Sequence, residues 1–209
     1  FCRNVAGKDE VLLLPPLSSS FYRHETVSVA RALLGHLLCR ESAAGLTAGI
    51  IVETEAYLSR DDPACHASCG RTRRNAPMFG PPGQAYIYFI YGNHFCFNVV
   101  TAPAGIGEAV LIRALEPVDG LELMQRRRGQ GRSVLELTNG PGKLCQALAI
   151  DQTLNEHDLC SPPLWISAGR EVEKEAVISV PRIGISRAVD KLLRFYIKEN
   201  KYVSRRKSQ

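Results

Sequence analysis

The sequence predicts an α+β fold: one compact domain over residues 1–209, with a mixed, mostly antiparallel, curved sheet, surrounding helices and a protruding β-hairpin. Three observations carry this expectation. The chain has 209 residues, 45% hydrophobic and 22% charged, which suits one domain with a sizeable core. Its extended segments fall in neighbouring pairs, Leu37–Arg40 with Gly49–Thr54 and Ala85–Ile90 with Phe95–Val100, and each pair reads as a hairpin. Helical patterns are short and set apart from these pairs, and no internal repeat, P-loop, dinucleotide fingerprint or HExxH motif occurs.

The first ten residues are polar and are expected to be loose, and Val11–Leu14 is a short apolar segment stopped by Pro15-Pro16. Ser18, Ser19 and Ser20 offer caps before a helix whose apolar positions are Val27, Ala30, Leu33, Leu34 and Leu37, ending near Gly35–His36 or running into the strand Leu37–Arg40. The next strand is the centre of the chain. Gly49–Val52 is an apolar, largely β-branched run, and beyond it Glu53, Glu55 and Tyr57 share one face while Val52, Thr54 and Ala56 take the other. Carboxylates are rarely buried unless paired, so this face either borders solvent, as on a charged edge strand, or holds a site.

From Leu58 to Gly83 the residues lack periodicity and are rich in Gly, Pro, Asp and Arg, which predicts a long loop of the kind that carries function. Cys65, His66 and Cys69 superficially suggest metal ligands, but no second pair has the spacing of a structural zinc site, and no metal is expected. Arg71, Arg73 and Arg74 suit either a solvated face or contacts to phosphate. In the following hairpin, Tyr86, Tyr88 and Ile90 share a face, and Tyr91-Gly92-Asn93-His94 makes the turn. A large aromatic before a glycine at a hairpin tip is a candidate wedge, able to fill the gap left when a base leaves its stack.

Glu108–Leu115 reads as a strand with Ala109, Leu111, Arg113 and Leu115 on one face, closed by Glu116-Pro117. Arg113 either reaches outward to water or, if buried, must meet an acceptor, and pairing with Glu53 or Glu55 would resolve both anomalies. Gly120–Arg128 is helical in pattern and ends in a basic corner, and a turn at Thr138–Gly142 leads to a short helix from Lys143 to Leu148 whose amides and Lys143 suit a phosphate. Asp158–Trp165 and Ala168–Glu175 read as connections, Ala176–Val180 and Phe195–Ile197 as strands, and residues 198–209 as a basic, frayed tail.

A net charge of +5 favours an acidic partner. Seven cysteines without framework spacing suit a reducing compartment. With no signal-peptide pattern and no stretch long enough to span a bilayer, the expectation is a soluble, intracellular monomer with no membrane association, and the start at Phe1 suggests a fragment of a longer chain.

The motifs IVETEAY with His66, MFGPPG, YIYFIYG with Asn98, LIRALEP, GPGKLCQALAI, PRIGI and LRFYI occur in this order over nearly the whole chain. Together they resemble the methylpurine (alkyladenine) DNA glycosylase family. The resemblance implies a cofactor-independent, monofunctional enzyme of base excision repair, in the nucleus or a bacterial cytoplasm, whose partner is double-stranded DNA containing a damaged purine. By the same resemblance, Glu55, Arg113 and the backbone carbonyl of Ile183 hold the attacking water. Tyr57 and His66 would stack on one side of the flipped base and Tyr88 on the other, with Cys65 beside the histidine and Asn98 discouraging guanine. Tyr91 would be the intercalating wedge, and Arg71, Arg73, Arg74 and Lys143 would contact the DNA backbone. The sequence departs from the family at Cys65, where alanine is common, and at Asn93-His94. Glu53 is the second candidate acid. A glycosylase/lyase using the Lys143 amine and a non-catalytic damaged-DNA-binding module are the alternative readings.

Overall fold

The computed structural model describes residues 14–204. Helix α1 is Thr26–Ala32, and the strands are β1, Leu37–Ser42; β2, Gly45–Tyr57; β3, Ala85–Ile90; β4, His94–Val100; and β5, Ala109–Asp119. Helices α2, Leu121–Arg128, and α3, Pro141–Leu148, follow, then β6, Leu164–Ser167; β7, Val177–Val180; and β8, Arg194–Ile197. The strands form one sheet in the order β3-β4-β5-β2-β1-β6, to which β8 adds by pairing with β2, and β7 pairs with β8. Every ladder between these strands is antiparallel. The α+β class and the antiparallel character expected from the sequence are what the structure shows. Among the described residues no helix is long and apolar enough to cross a membrane.

The long strand β2 explains the branching. β5 runs along one edge of it from Ala48 to Tyr57. On the other edge β1 takes Gly45–Ile50 and β8 takes Glu53–Glu55, so the backbone groups of β2 are satisfied by two successive partners. At this changeover the β2–β5 register slips between Ile51 and Glu53 and again between Glu53 and Thr54, leaving Val52 and Arg113 without a direct cross-strand partner. Such bulges re-aim side chains. The slip also shifts the phase of β5: Leu115, expected on the Arg113 face, instead joins Val110 and Ile112 in the main core. β5 further continues through Pro117 to Asp119, because Pro117 lies opposite Gly49 at another register shift, where a missing N–H is tolerated.

One face of the sheet is covered by the helices. Val29 and Ala30 of α1, Leu33 just beyond it, and Leu144 and Leu148 of α3 pack with Ile51, Phe97 and Ile112 in the main cluster. The Thr54 hydroxyl donates to the Ala30 carbonyl at 2.8 Å, as the predicted inward face of β2 requires. Ser18–Ser20 precede a single 3-10 turn, Phe21–Arg23, and α1 itself starts at Thr26.

The opposite face lies beneath residues 58–84, which contain no strand and no α-helix, only 3-10 turns at His66–Cys69 and Ala76–Phe79. This loop is internally braced: Asn75 Nδ2 donates to the carbonyls of His66 and Gly70. Cys65 and Met78 from the loop pack on Tyr86, Val100 and Ala109 of the sheet in a second cluster.

β6 corrects the reading of Asp158–Trp165 as connection, since Leu164–Ser167 pairs with Leu37–Arg40 of β1. Four residues after a proline pair are too few to show alternation. Over residues 198–204 the predicted tail is held by hydrogen bonds, Lys198 N–H to Ala176 O at 2.8 Å and Ser204 N–H to Glu53 Oε2 at 2.7 Å. Residues 205–209, like Phe1–Glu10 and most of Val11–Leu14, lie outside the described residues.

Candidate active site

The exposed face of β2 is not exposed at all: Glu53 and Glu55 are both 0% accessible. Buried carboxylates need partners, and each has its own set. Glu55 Oε2 accepts the Tyr57 hydroxyl at 2.8 Å and Arg113 Nη1 at 3.2 Å, while Oε1 accepts the Ile183 N–H at 2.8 Å. Glu53 Oε1 accepts Arg194 Nη1 at 2.7 Å and lies 3.4 Å from Arg113 Nε, and Oε2 accepts the Ser204 amide. Arg113 thus bridges the two acids from its bulge. Burial opposes its charge, but Glu55 and Glu53 outweigh burial and raise its pKa above the usual arginine value.

Next to this centre is a cavity of about 330 Å³ bordered by Tyr57, His66, Tyr86, Tyr88 and Asn98, with Gly184–Arg187 closing another side. The strand period places Tyr86 and Tyr88 together, and their ring centroids are 5.3 Å apart. His66 meets Tyr88 edge-on at 4.7 Å, and its Nδ1 hydrogen-bonds the Tyr86 hydroxyl at 2.9 Å. Burial, with Arg74 nearby, lowers the His66 pKa. A ring stacked between His66 and Tyr88 needs about 7 Å, twice a van der Waals contact, so their present spacing holds no base between them. Asn98 Nδ2 donates to the Tyr86 carbonyl at 3.0 Å, which fixes its amide. Cys65 borders a separate pocket behind His66. Its thiol contacts the Gly107 carbonyl and the Ala67 amide, and burial pushes its pKa up to about 12. Cys69 Sγ is engaged with the His66 carbonyl.

A second cavity of about 340 Å³ shares Tyr57, Tyr88, Ile90 and Gly184 with the first and reaches Arg113, Tyr91 and the start of α3. Tyr91 takes φ 54° at the hairpin tip and is 79% exposed. His94 packs against Gly142, where an added Cβ would fall 2.9 Å from the imidazole. Lys143 Nζ donates to Asn139 Oδ1 at 2.7 Å on the rim. Arg71, Arg73 and Arg74 are exposed, and Arg74 Nη2 donates to the Phe89 carbonyl at 2.9 Å, tying the loop to the hairpin.

Three features of this site escaped sequence reasoning. Arg194 and the Ser204 amide occupy Glu53 from 141 and 151 residues away. Tyr86, given no part in the site by its sequence, hydrogen-bonds His66. Asp62, in the loop, forms a fully buried ion pair with Arg182. Burial opposes the Asp62 charge, but the bonds from Arg182 and the Leu58 amide outweigh it and hold the carboxyl below its usual range. No spacing rule links residues so far apart, and the only sign was an arginine beside the apolar Ile183-Gly184-Ile185.

An antiparallel α+β fold that sets an aromatic cavity beside an acid–guanidinium centre, with cations and one exposed ring on the rim, suits the class of proteins that handle a flat heterocycle belonging to a polyanion. The chain belongs to the methylpurine-DNA glycosylase family, whose model, described as Methylpurine-DNA glycosylase (MPG), matches residues 20–201. It is 52% identical over 196 residues to a protein of Carboxydothermus hydrogenoformans named "Putative 3-methyladenine DNA glycosylase", covering 93% of this chain and 100% of the relative. Proteins with the same name from Methanoculleus marisnigri and Methanocella arvoryzae are 52% and 47% identical, covering 91% and 92% of this chain and 99% and 98% of the relatives. The family expected from the motifs is the family found, and it implies DNA as the partner.

Proposed function

We propose that this protein is a monofunctional DNA glycosylase that flips alkylated or deaminated purines, 3-methyladenine, 7-methylguanine, hypoxanthine and ethenoadenine, out of duplex DNA and hydrolyses the N-glycosidic bond. The observation that carries the reading is Glu55, buried and held by Arg113, Tyr57 and Ile183, all three of which line the second cavity. Water oxygen bonds to the anomeric carbon as the bond to the base nitrogen breaks, the bonding pair leaves with the base, and Glu55 takes the water proton. As the base departs, positive charge grows on the sugar, and the carboxylate is close enough in kind and place to offset it. Tyr57, His66 and Tyr88 provide the stacking surface once the histidine and Tyr88 part, and Asn98 meets the purine edge. Cys65 supports the loop beside the histidine. Lys143 and Arg71, Arg73 and Arg74 receive phosphates of the DNA backbone. A panel of single-lesion duplexes assayed under single-turnover conditions tests the reading, and no release of any damaged purine would refute it.

Hydrolysis without an enzyme-bound intermediate sets two further results. Borohydride should trap no protein–DNA adduct, because the Lys143 amine is engaged with Asn139 on the rim and Glu55 activates water. Chelation should leave the rate unchanged, since Cys65, His66 and Cys69 are each engaged with separate partners. A trapped adduct, or activity lost to a chelator and restored by zinc, would contradict the respective half.

Tyr91 is the wedge. Its left-handed φ and high exposure point the ring away from the sheet, where it can stack in the gap left by the flipped nucleotide. Tyr91→Ala should disfavour flipping of a paired ethenoadenine by about 1–3 kcal/mol, the worth of one base–aromatic stack, and Tyr91→Phe should retain most of it. Ethenoadenine fluorescence in paired and unpaired duplexes measures this, and the unpaired context should relieve the alanine variant.

A further inference from the structure

Behind the cavity wall, Arg182 Nη1 donates to Asp62 Oδ2 at 2.7 Å and to the Ala56 carbonyl at 2.9 Å, while Nη2 pairs with Asp62 Oδ1. Both side chains are fully buried. The guanidinium carbon lies 4.5 Å from the centroid of the Tyr57 ring. Tyr57 borders both cavities and Arg182 borders neither, so the cation covers the ring from behind. Arg182 Nε has no hydrogen-bond partner among the described residues, which leaves the aromatic face to offset that part of the charge.

We propose that Arg182 is a specificity-determining residue that acts through Tyr57, biasing the cavity toward neutral purines over cationic ones. The inference rests on the reading of Tyr57 as a stacking surface for the flipped base. An aromatic face attracts cations through its quadrupole. With a guanidinium already on one face, π density is drawn toward it and its field reaches the other side, so a second cation there gains less. Asp62 offsets part of that charge, but the guanidinium is the group over the ring. Purines alkylated on a ring nitrogen, such as 7-methylguanine, are cationic, whereas hypoxanthine is neutral. The arrangement therefore lowers the advantage that a bare aromatic cavity gives to cationic lesions.

The test compares 7-methylguanine with hypoxanthine, each in the same duplex context, using single-turnover excision. The variant is Arg182→Met with Asp62→Asn, because removing the arginine alone would leave a buried carboxylate that itself attracts cations. The ratio of cationic to neutral rates should rise about three- to tenfold in the double variant, while Arg182→Lys, which keeps a cation, should hold the ratio within about twofold. In a Tyr57→Leu background the same double change should leave the ratio where it was, since the ring through which it acts is gone. Equal slowing of both lesions in the double variant would overturn the proposal and reduce Arg182 to a brace. If the double variant does not fold, Arg182→Gln with Asp62→Asn should give the same rise, and a flat ratio there refutes it equally. Should the parent protein release neither base, the glycosylase reading would fall separately, and the ratio of binding affinities for the two duplexes in a Glu55→Gln background would still decide the role of Arg182.

Discussion

Glu55→Gln slows single-turnover release of a damaged purine by at least about a hundredfold, the typical worth of a general base, while binding of lesion DNA stays close to that of the parent. The amide keeps the shape of the carboxylate. Its oxygen can still accept from Ile183 N–H or from Arg113, and the Tyr57 hydroxyl can turn to accept from the new NH2. What it loses is the ability to take a proton and the negative charge that, in the proposed reaction, offsets the developing cation on the sugar. Glu53→Gln is the informative comparison. Glu53 is held by Arg194 and the Ser204 amide, neither of which borders either cavity, whereas the partners of Glu55 line the second one, so that change should tell on stability more than on the chemical step. Near-parent excision by Glu55→Gln together with an inactive Glu53→Gln would move the catalytic role to Glu53.

Arg113→Met lowers folding stability by about 3–5 kcal/mol, the cost of breaking a buried ion pair from one side, and reduces excision as well. The two acids respond unequally. Glu53 retains Arg194, whereas Glu55 keeps only the Tyr57 hydroxyl and the Ile183 amide against its full charge. Arg113→Lys should recover only part of the loss, because one ammonium on a flexible stem does not reproduce the two-sided reach of the guanidinium to Glu53 at 3.4 Å and Glu55 at 3.2 Å. Urea denaturation measures the stability change, and a loss below about 1 kcal/mol, the range of an exposed pair, would show that the bridge contributes little.

Much of this was legible in the sequence because it follows from period and from electrostatic necessity. The alternation through Glu53, Glu55 and Tyr57 placed the acids on one face, and the hydrogen bond from Tyr57 to Glu55 bears that out. An arginine inside an apolar strand either reaches water or needs an acceptor, and this one is buried and has two. The aperiodic stretch after Tyr57 does form the loop over the far face of the sheet. What stayed hidden depends on register or on long-range closure. The phase of Leu115 turns on a bulge that no residue type announces. β6 is too short for a pattern. The Asp62–Arg182 pair spans 120 residues, and the edge-on contact of His66 with Tyr88 is a matter of ring placement that motifs do not encode.

The changeover on the edge of β2 has a temporal meaning. The strand that carries the acids is synthesised well before β8, so its edge at Glu53–Glu55 stays open until Arg194–Ile197 has been added, and Glu53 lacks an amide partner until Ser204 exists. Between the synthesis of Arg113 and that of Arg194, Arg113 meets those carboxylates without the Arg194 counter-charge, so the centre is assembled only when its last contributor leaves the ribosome. The pairing of the acids is therefore finished by residues made long after them.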